Sequence, residues 1–240
     1  MSDNSISLNK FISETGICSR READRWIEAG RVKINGKVAQ KGNRVMEGDT
    51  VTVDGKPLKA KPKTVFIALN KPAGITCTTD LKDKDNIVDF VGHKERIFHI
   101  GRLDKASTGL IFLTNDGDIV NDILRAENNH EKEYVVTVDK PVNESFVEKM
   151  SKGIPILDTK TNPCFVEKIG KNAFRIILTQ GLNRQIRRMC EYLEYNVLTL
   201  KRIRIMNINL EGLKVGQWRN LSDAELTVLK ALIDNKKSAE

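Results

Sequence analysis

At 240 residues the chain is long enough for one large domain, or for a small domain joined to a medium one. Apolar residues make up 40% of it, which argues against disorder, and no run approaches the roughly 18 apolar residues of a membrane-crossing helix. A net charge of +8 points to a polyanionic partner, although many basic proteins bind no nucleic acid.

In chain order, Met1 to Ser7 is polar and lacks the basic-then-apolar layout of a signal peptide. Leu8, Phe11 and Ile12 then have helical spacing. Ser19 with Glu22 three positions on predicts a second helix opened by a reciprocal capping box. In that helix Ala23, Trp26 and Ile27 share one face, Arg21 and Arg25 share another, and Gly30 is placed to end it. Val32 to Ile34 and Lys37 to Ala39 flank Asn35-Gly36, a strong hairpin signal because both turn residues tolerate positive φ. A strand from Thr50 to Val53 precedes a second turn pair, Asp54-Gly55. These residues predict a compact unit over 5–55. The lysine- and proline-rich run 56–63 reads as a linker, and a larger domain follows over 64–235.

Beyond the linker, strands are predicted at 64–69, 110–114, 133–138, 163–167, 173–178 and 198–208, and helices at 118–125, 144–151, 183–194 and 222–234. Strands that do not alternate regularly with helices favour an α+β domain with a mostly antiparallel sheet over a doubly wound one. Cys18, Cys77, Cys164 and Cys190 lie far apart with no histidine at ligand spacing, which excludes the common zinc patterns and a compact disulfide framework. Reduced thiols in a cytoplasmic protein are expected.

Three segments gather polar groups beside apolar strands. Gly101-Arg102-Leu103-Asp104-Lys105-Ala106-Ser107-Thr108-Gly109-Leu110 sets an aspartate between two cations. Such an aspartate is either a structural ion pair or a carboxylate kept ionised for chemistry. Read as a helix from Asn183, the segment Gln180 to Met189 turns Ile186, Met189, Cys190 and Leu193 inward. Arg184, Arg187 and Arg188 then share another face, either simply solvated or facing an anion that offsets their unfavourable place at a helix N-terminus. In Lys132-Glu133-Tyr134, the tyrosine is either a core residue or a ring for a nucleobase to stack on.

Together, in this order, these segments resemble the pseudouridine synthases of the ribosomal small-subunit type, whose aspartate motif has the form GRLD-x-x-[ST]-x-G-L. Ser19-Arg20-Arg21-Glu22-Ala23, the Asn35-Gly36 hairpin and Gly48-Asp49 resemble an S4 RNA-binding domain. The run from His130 to Val138 and the sequence around Arg202 to Asn207 are similar to members that act on the large ribosomal subunit. The resemblance implies a small S4-like α/β module plus a larger catalytic domain whose mixed, mostly antiparallel sheet is flanked by helices. It implies isomerisation of uridine to pseudouridine, with Asp104 as nucleophile, Arg187 paired to it by a bidentate bond, and Tyr134 stacked on the uracil. Arg102, Leu103, Lys105, Arg184, Gln185, Ile186 and Arg188 are the RNA-binding residues so implied in the large domain, and Arg20, Arg21 and Arg25 those in the small one. No cofactor and no metal are expected. The expected partner is RNA, foremost 23S ribosomal RNA with a tRNA anticodon stem-loop as a further substrate, bound by a monomer that needs no membrane.

Two other readings compete. A non-catalytic S4-type RNA-binding factor accounts for the charge and the N-terminal unit, but not for Asp104, Tyr134 and Arg187 in motif order. An unrelated hydrolase using Asp104 lacks a triad, since His93, His99 and His130 have no serine or cysteine partner pattern.

Overall fold

The computed structural model describes residues 5–124 and 130–237. Residues 1–4 of the polar N-terminal stretch, and Arg125 at the end of the predicted helix 118–125, lie outside the described residues. The chain divides into two compact units. The first comprises the residues up to Thr64 with the short segments His93–Ile97 and Asn115–Gly117, and the second comprises the rest. No helix among the described residues is long and apolar enough to cross a membrane.

The first unit runs β1 (Ile6–Ser7), α1 (Leu8–Glu14), α2 (Arg20–Glu28), β2 (Val32–Ile34), β3 (Lys37–Val38), β4 (Arg44–Val45), β5 (Val51–Val53) and β6 (Lys56–Pro57). Leu8, Ile12, Ala23 and Ile27 from the helices pack with Val32, Val45, Val51 and Val53 from the strands. The Ser19 hydroxyl accepts from the Glu22 N–H at 3.1 Å, but the expected return bond is missing. The Glu22 carboxylate instead accepts from Trp26 Nε1 at 3.0 Å and from Arg25 at 2.7 Å, so half of the capping box is given up to hold the indole. Asn35 (φ 49°) and Gly36 (φ 79°) make the predicted tight turn, and Asp54 and Gly55 repeat it between β5 and β6. The run 56–63 therefore does not begin as a linker. Lys56 and Pro57 pair with β5, and Leu58 packs on the small core.

The second unit contains β7 (Phe66–Lys71), α3 (Ile87–Val91), β8 (Phe98–Ile100), β9 (Thr108–Thr114), α4 (Gly117–Leu124), β10 (Lys132–Val138), α5 (Glu144–Ser151), β11 (Pro155–Ile156), β12 (Thr159–Lys160), β13 (Phe165–Gly170), β14 (Ala173–Leu178), α6 (Gln185–Tyr192), β15 (Val197–Ile205), β16 (Ile208–Asn209), β17 (Trp218–Asn220) and α7 (Asp223–Lys237). Among the described residues nine of these strands form one sheet, in the order β13-β14-β10-β15-β9-β7-β17, with β8 against β9 and β16 against β15. Its neighbours are antiparallel except β9 and β15, which run parallel. The α+β expectation holds, with a mostly antiparallel mixed sheet.

β7 and β9 are buried on both faces, which is why they read as continuous apolar runs without alternation. Leu110 and Phe112 of β9 join Ile123 of α4 and Leu229 and Ile233 of α7 in one core. The predicted strand 198–208 is broken: β15 ends at Ile205, Met206 takes a left-handed φ of 53°, and β16 returns antiparallel. The predicted helix 183–194 is shorter, Gln185–Tyr192, with Leu193 capping its end. Arg184 precedes it in a left-handed conformation at φ 50°, and so is not part of a helical arginine face. Sequence reasoning missed β8, β17, α3 and the β11–β12 pair, all short segments with too few residues to show a period.

Candidate active site

Asp104 lies in the turn between β8 and β9, and the fold holds that turn mainly by its backbone. The Ser107 N–H donates to the Asp104 carbonyl at 2.9 Å, and the Gly74 N–H donates to the Lys105 carbonyl at 2.8 Å. The Leu103 N–H points at Cys77 Sγ, 3.4 Å away. Beneath the turn is Lys71, 0% exposed. Its ammonium donates to the carbonyls of Pro72 (2.8 Å), Ser107 (2.9 Å) and Lys105 (3.3 Å). Burial lowers its pKa, while Cys77 and the Asp104 carboxylate act in the opposite sense. A cation with three carbonyl partners thus fixes the stretch that follows the aspartate, while Cys77 receives the N–H of the residue before it.

The Asp104 side chain is about one-third exposed (34%) and meets Arg187, whose own side chain is only 13% exposed. The expected bidentate bond does not form. Arg187 Nε donates to Asp104 Oδ2 at 3.3 Å, Nη2 donates to Ser107 Oγ at 3.2 Å, and Nη1 points to the Val197 carbonyl at 3.5 Å. The guanidinium is spread over three acceptors, which fixes its plane and leaves the second carboxylate oxygen to the cleft. Arg184 comes within 3.9 Å of Oδ2.

Tyr134 enters from β10, buried at its ring and facing the same cleft as Asp104, Arg187 and Ser107. Arg102, Leu103, Arg184, Gln185 and Ile186 also line it, joined by Gln180, Gly181 and Leu182 from the start of the singled-out segment and by Leu178 and Leu200, which sequence reasoning did not single out. Gln185 shapes one wall. Its carbonyl oxygen accepts from the Leu182 N–H at 3.1 Å, and its amide donates to Gln180 Oε1 at 3.1 Å. Lys132, at the start of β10, donates to the His130 carbonyl at 3.0 Å and reaches the Thr179 carbonyl, next to Gln180, at 3.5 Å. Burial, with the charge of Arg202 adding to it, pushes Lys132 down to about 8.

Two expected residues are not in the cleft lining. Lys105 turns away from Asp104 to Asp85 at 2.7 Å, so the two cations flanking the aspartate in sequence do not flank it in space. Arg188 folds back on the carbonyl and side chain of Asn183. In the first unit Arg20 and Arg21 are exposed, and Arg25 is paired with Glu22. Lys71 has a sequence signal, since with Asn70 it ends a strand that opens on four apolar residues; Ser107 stands at the serine-or-threonine position of the aspartate motif.

A carboxylate one-third exposed, with an arginine behind it and an aromatic ring across a cleft, is the kit of an enzyme that attacks or deprotonates a flat ring. The family model described as RNA pseudouridylate synthase matches residues 65–192, and that of the S4 domain matches residues 7–51. The chain belongs to the RNA pseudouridylate synthase family and isomerises uridine to pseudouridine in RNA. It is 58% identical over 238 residues to the dual-specificity RNA pseudouridine synthase RluF of Escherichia coli K12, covering 98% of this chain and 82% of that one. It is 34% identical to the ribosomal large subunit pseudouridine synthase B of Bacillus subtilis, over 97% of this chain and 98% of the other. A crystal structure of a pseudouridylate synthase superposes with a TM-score of 0.68 at 29% identity, covering 93% of this chain and 99% of that one.

Proposed function

We propose that Asp104 is the nucleophile of the isomerisation, Arg187 the cation that keeps it ionised and aimed, and Tyr134 the ring against which the uracil stacks. One observation carries the assignment: these three side chains, 30 or more residues apart in sequence, converge on a single cleft. Forming pseudouridine breaks the C1′–N1 bond, turns the base and joins C1′ to C5; the C5 proton leaves and N1 takes one up, so atoms balance. No electrons are gained or lost, and water is not consumed. The base leaves its stack to reach the cleft, so the phosphates beside it need gripping. Arg102 and Arg184 at the rim suit that role, with Lys105 and Arg188 further out.

The motif Gly101 to Leu110 supports placement in the small-subunit-type group. The relative named a ribosomal large subunit pseudouridine synthase supports large-subunit ribosomal RNA as substrate, the dual-specificity relative supports a second RNA, and a tRNA anticodon stem-loop is the second substrate proposed. Residues 5–55 would act as an S4 module that binds RNA through Arg20, Arg21 and Arg25, and 64–235 would carry the chemistry. The enzyme would work as a cytoplasmic monomer, with neither cofactor nor metal.

Tritium release from C5-labelled uridine in a stem-loop tests the assignment. Asp104→Asn keeps the shape and loses the charge, so turnover falls by at least ~10³-fold while RNA binding survives. Turnover above a few per cent of the unaltered enzyme, on the order of what a non-essential carboxylate would leave, overturns it.

A further inference from the structure

The cleft side of β10 and β15 carries an arginine that this chemistry does not use. Arg202 stands opposite Tyr134 across the two strands and is only 4% exposed. Its Nε donates to the Leu110 carbonyl at 2.6 Å, and its guanidinium carbon lies 6.0 Å from the centre of the Tyr134 ring. Among the described residues its Nη2 is buried with no hydrogen-bond partner. An unpaired buried N–H is costly, and an apolar side chain of the same length would avoid that cost. Packing alone is a poor account of arginine at this place.

The backbone around it is equally specific. β9 and β15 pair at Thr108↔Lys201 and Gly109↔Arg202. Gly109 has a φ of +106°, and a Cβ there would fall 2.1 Å from the Arg202 carbonyl oxygen. A register shift between Glu133 and Tyr134 puts Arg204 opposite Glu133 and Arg202 opposite Tyr134. The irregularity thus sends two arginines, two positions apart, to opposite faces of the sheet. Arg204 goes to Glu133 at 2.6 Å, leaving Arg202 to the tyrosine.

We propose that Arg202 is a positioning residue, which fixes the Tyr134 ring relative to the strand that leaves the Asp104 turn. It grips β9 through the Leu110 carbonyl and attracts the ring with its cation. The ring is then set before the uracil arrives, with no reordering left for the bound state. This rests on the reading of Asp104 and Tyr134 as the reacting and stacking groups.

The test is a double-mutant cycle of Arg202→Met and Tyr134→Leu, followed by tritium release under single-turnover and steady-state conditions, with folding checked by near-ultraviolet circular dichroism and melting. Arg202→Met should lower kcat by about 30-fold and leave KM within about 3-fold, because a misplaced group costs turnover before it costs binding. Arg202→Lys should regain part of that loss, since an ammonium can approach the ring but lacks the fork that also reaches Leu110. In the Tyr134→Leu background, Arg202→Met should change kcat by less than about 3-fold, there being no ring left to place. Equal fractional losses in both backgrounds, or wild-type kcat in Arg202→Met, overturn the proposal. Should Arg202→Met not fold, the same cycle run with Arg202→Lys decides by the same criterion. A slow Tyr134→Leu beside a fast Arg202→Met removes this proposal alone, whereas a fast Tyr134→Leu removes the site reading and this with it.

Discussion

Two of the carboxylate–arginine clusters in the large unit, at Glu133 and at Asp104, differ in how completely they are satisfied. Glu133 is buried, its side chain 9% exposed. Arg204 Nε meets one oxygen at 2.6 Å and Arg175 the other at 3.2 Å, with Glu131 and Glu167 completing the network. Asp104 has one hydrogen bond at 3.3 Å and a distant second arginine, and a third of its side chain faces the cleft. The first cluster is saturated and ties four strands together, β13, β14, β10 and β15; the second keeps acceptor capacity for something that is not protein. Saturation, more than charge, separates the structural carboxylate from the one proposed as nucleophile.

Replacing each carboxylate by its amide should give opposite results, and this is the largest separation expected. Asp104→Asn should remove turnover by at least ~10³-fold with the unfolding free energy within about 0.5 kcal/mol of wild type. Glu133→Gln should cost about 2–3 kcal/mol in urea unfolding, below the roughly 3–5 of a fully buried pair because Arg175 is partly exposed, and leave turnover within about 5-fold. Stability lost at 104 and turnover lost at 133 would break the comparison.

Tyr134 comes next. Tyr134→Ala should weaken RNA binding by about 10- to 100-fold, the roughly 1–3 kcal/mol of one stacked base, and slow turnover as well. Tyr134→Phe should bind normally and turn over more slowly, a difference visible in binding titrations beside single-turnover rates. An alanine variant with native affinity and rate would return the ring to a core role.

A smaller effect is expected in the first unit, where arginines face solvent. Replacing Arg20, Arg21 and Arg25 together by alanine should make the salt dependence of binding shallower by up to about 0.7–0.9 for each phosphate no longer neutralised. Turnover at saturating RNA should stay constant. An unchanged slope in a folded variant would make these arginines an ordinary solvated face.

The smallest effect belongs to a third pair. Arg219 holds both oxygens of Glu225 at 2.7 and 2.8 Å, far better geometry than at Asp104. The hydrogen bonds from Arg219 lower Glu225 from 4.5 to about 2, with burial opposing and the Ser222 N–H helping. A carboxylate whose folded pKa is depressed adds stability above its unfolded value, and that stability disappears as pH falls through the folded one. The difference in unfolding free energy between wild type and Glu225→Gln should therefore shrink as pH falls from 4.5 to about 2, with turnover at neutral pH unchanged. A gap that persists at pH 2 would show that the pair acts through packing.

Short-range chemistry is legible in the sequence and long-range closure is not. The Asn35-Gly36 turn appears where its residue types demand positive φ, and Ser19 caps its helix. The same serine–glutamate spacing recurs at Ser222 and Glu225, and there both reciprocal bonds form, at 3.2 and 2.8 Å. At Ser19 the box fails because Trp26, one turn along, competes for the glutamate. Arg184 looks helical in sequence because nothing local marks its left-handed backbone; the Gln180–Gln185 bond that closes the preceding loop is invisible to periodicity. The role of Lys71 is hidden because its partners Lys105 and Ser107 lie 34 and 36 positions downstream. Site residues carried by a motif can be read from the chain, whereas those that hold them in place emerge only when it folds.

The parallel contact between β9 and β15 is two residues long, and it is the seam between two antiparallel sheets, one carrying Tyr134 and the other following Asp104. The nine strands are continuous only through that stitch. Glycine at 109 is therefore a requirement on the machine as a whole. A single methyl group there would have to push back a carbonyl 2.1 Å away, prising the halves apart and so shifting the ring relative to the carboxylate. On the proposed site, alanine in place of this one glycine would disturb nucleophile and stacking ring together.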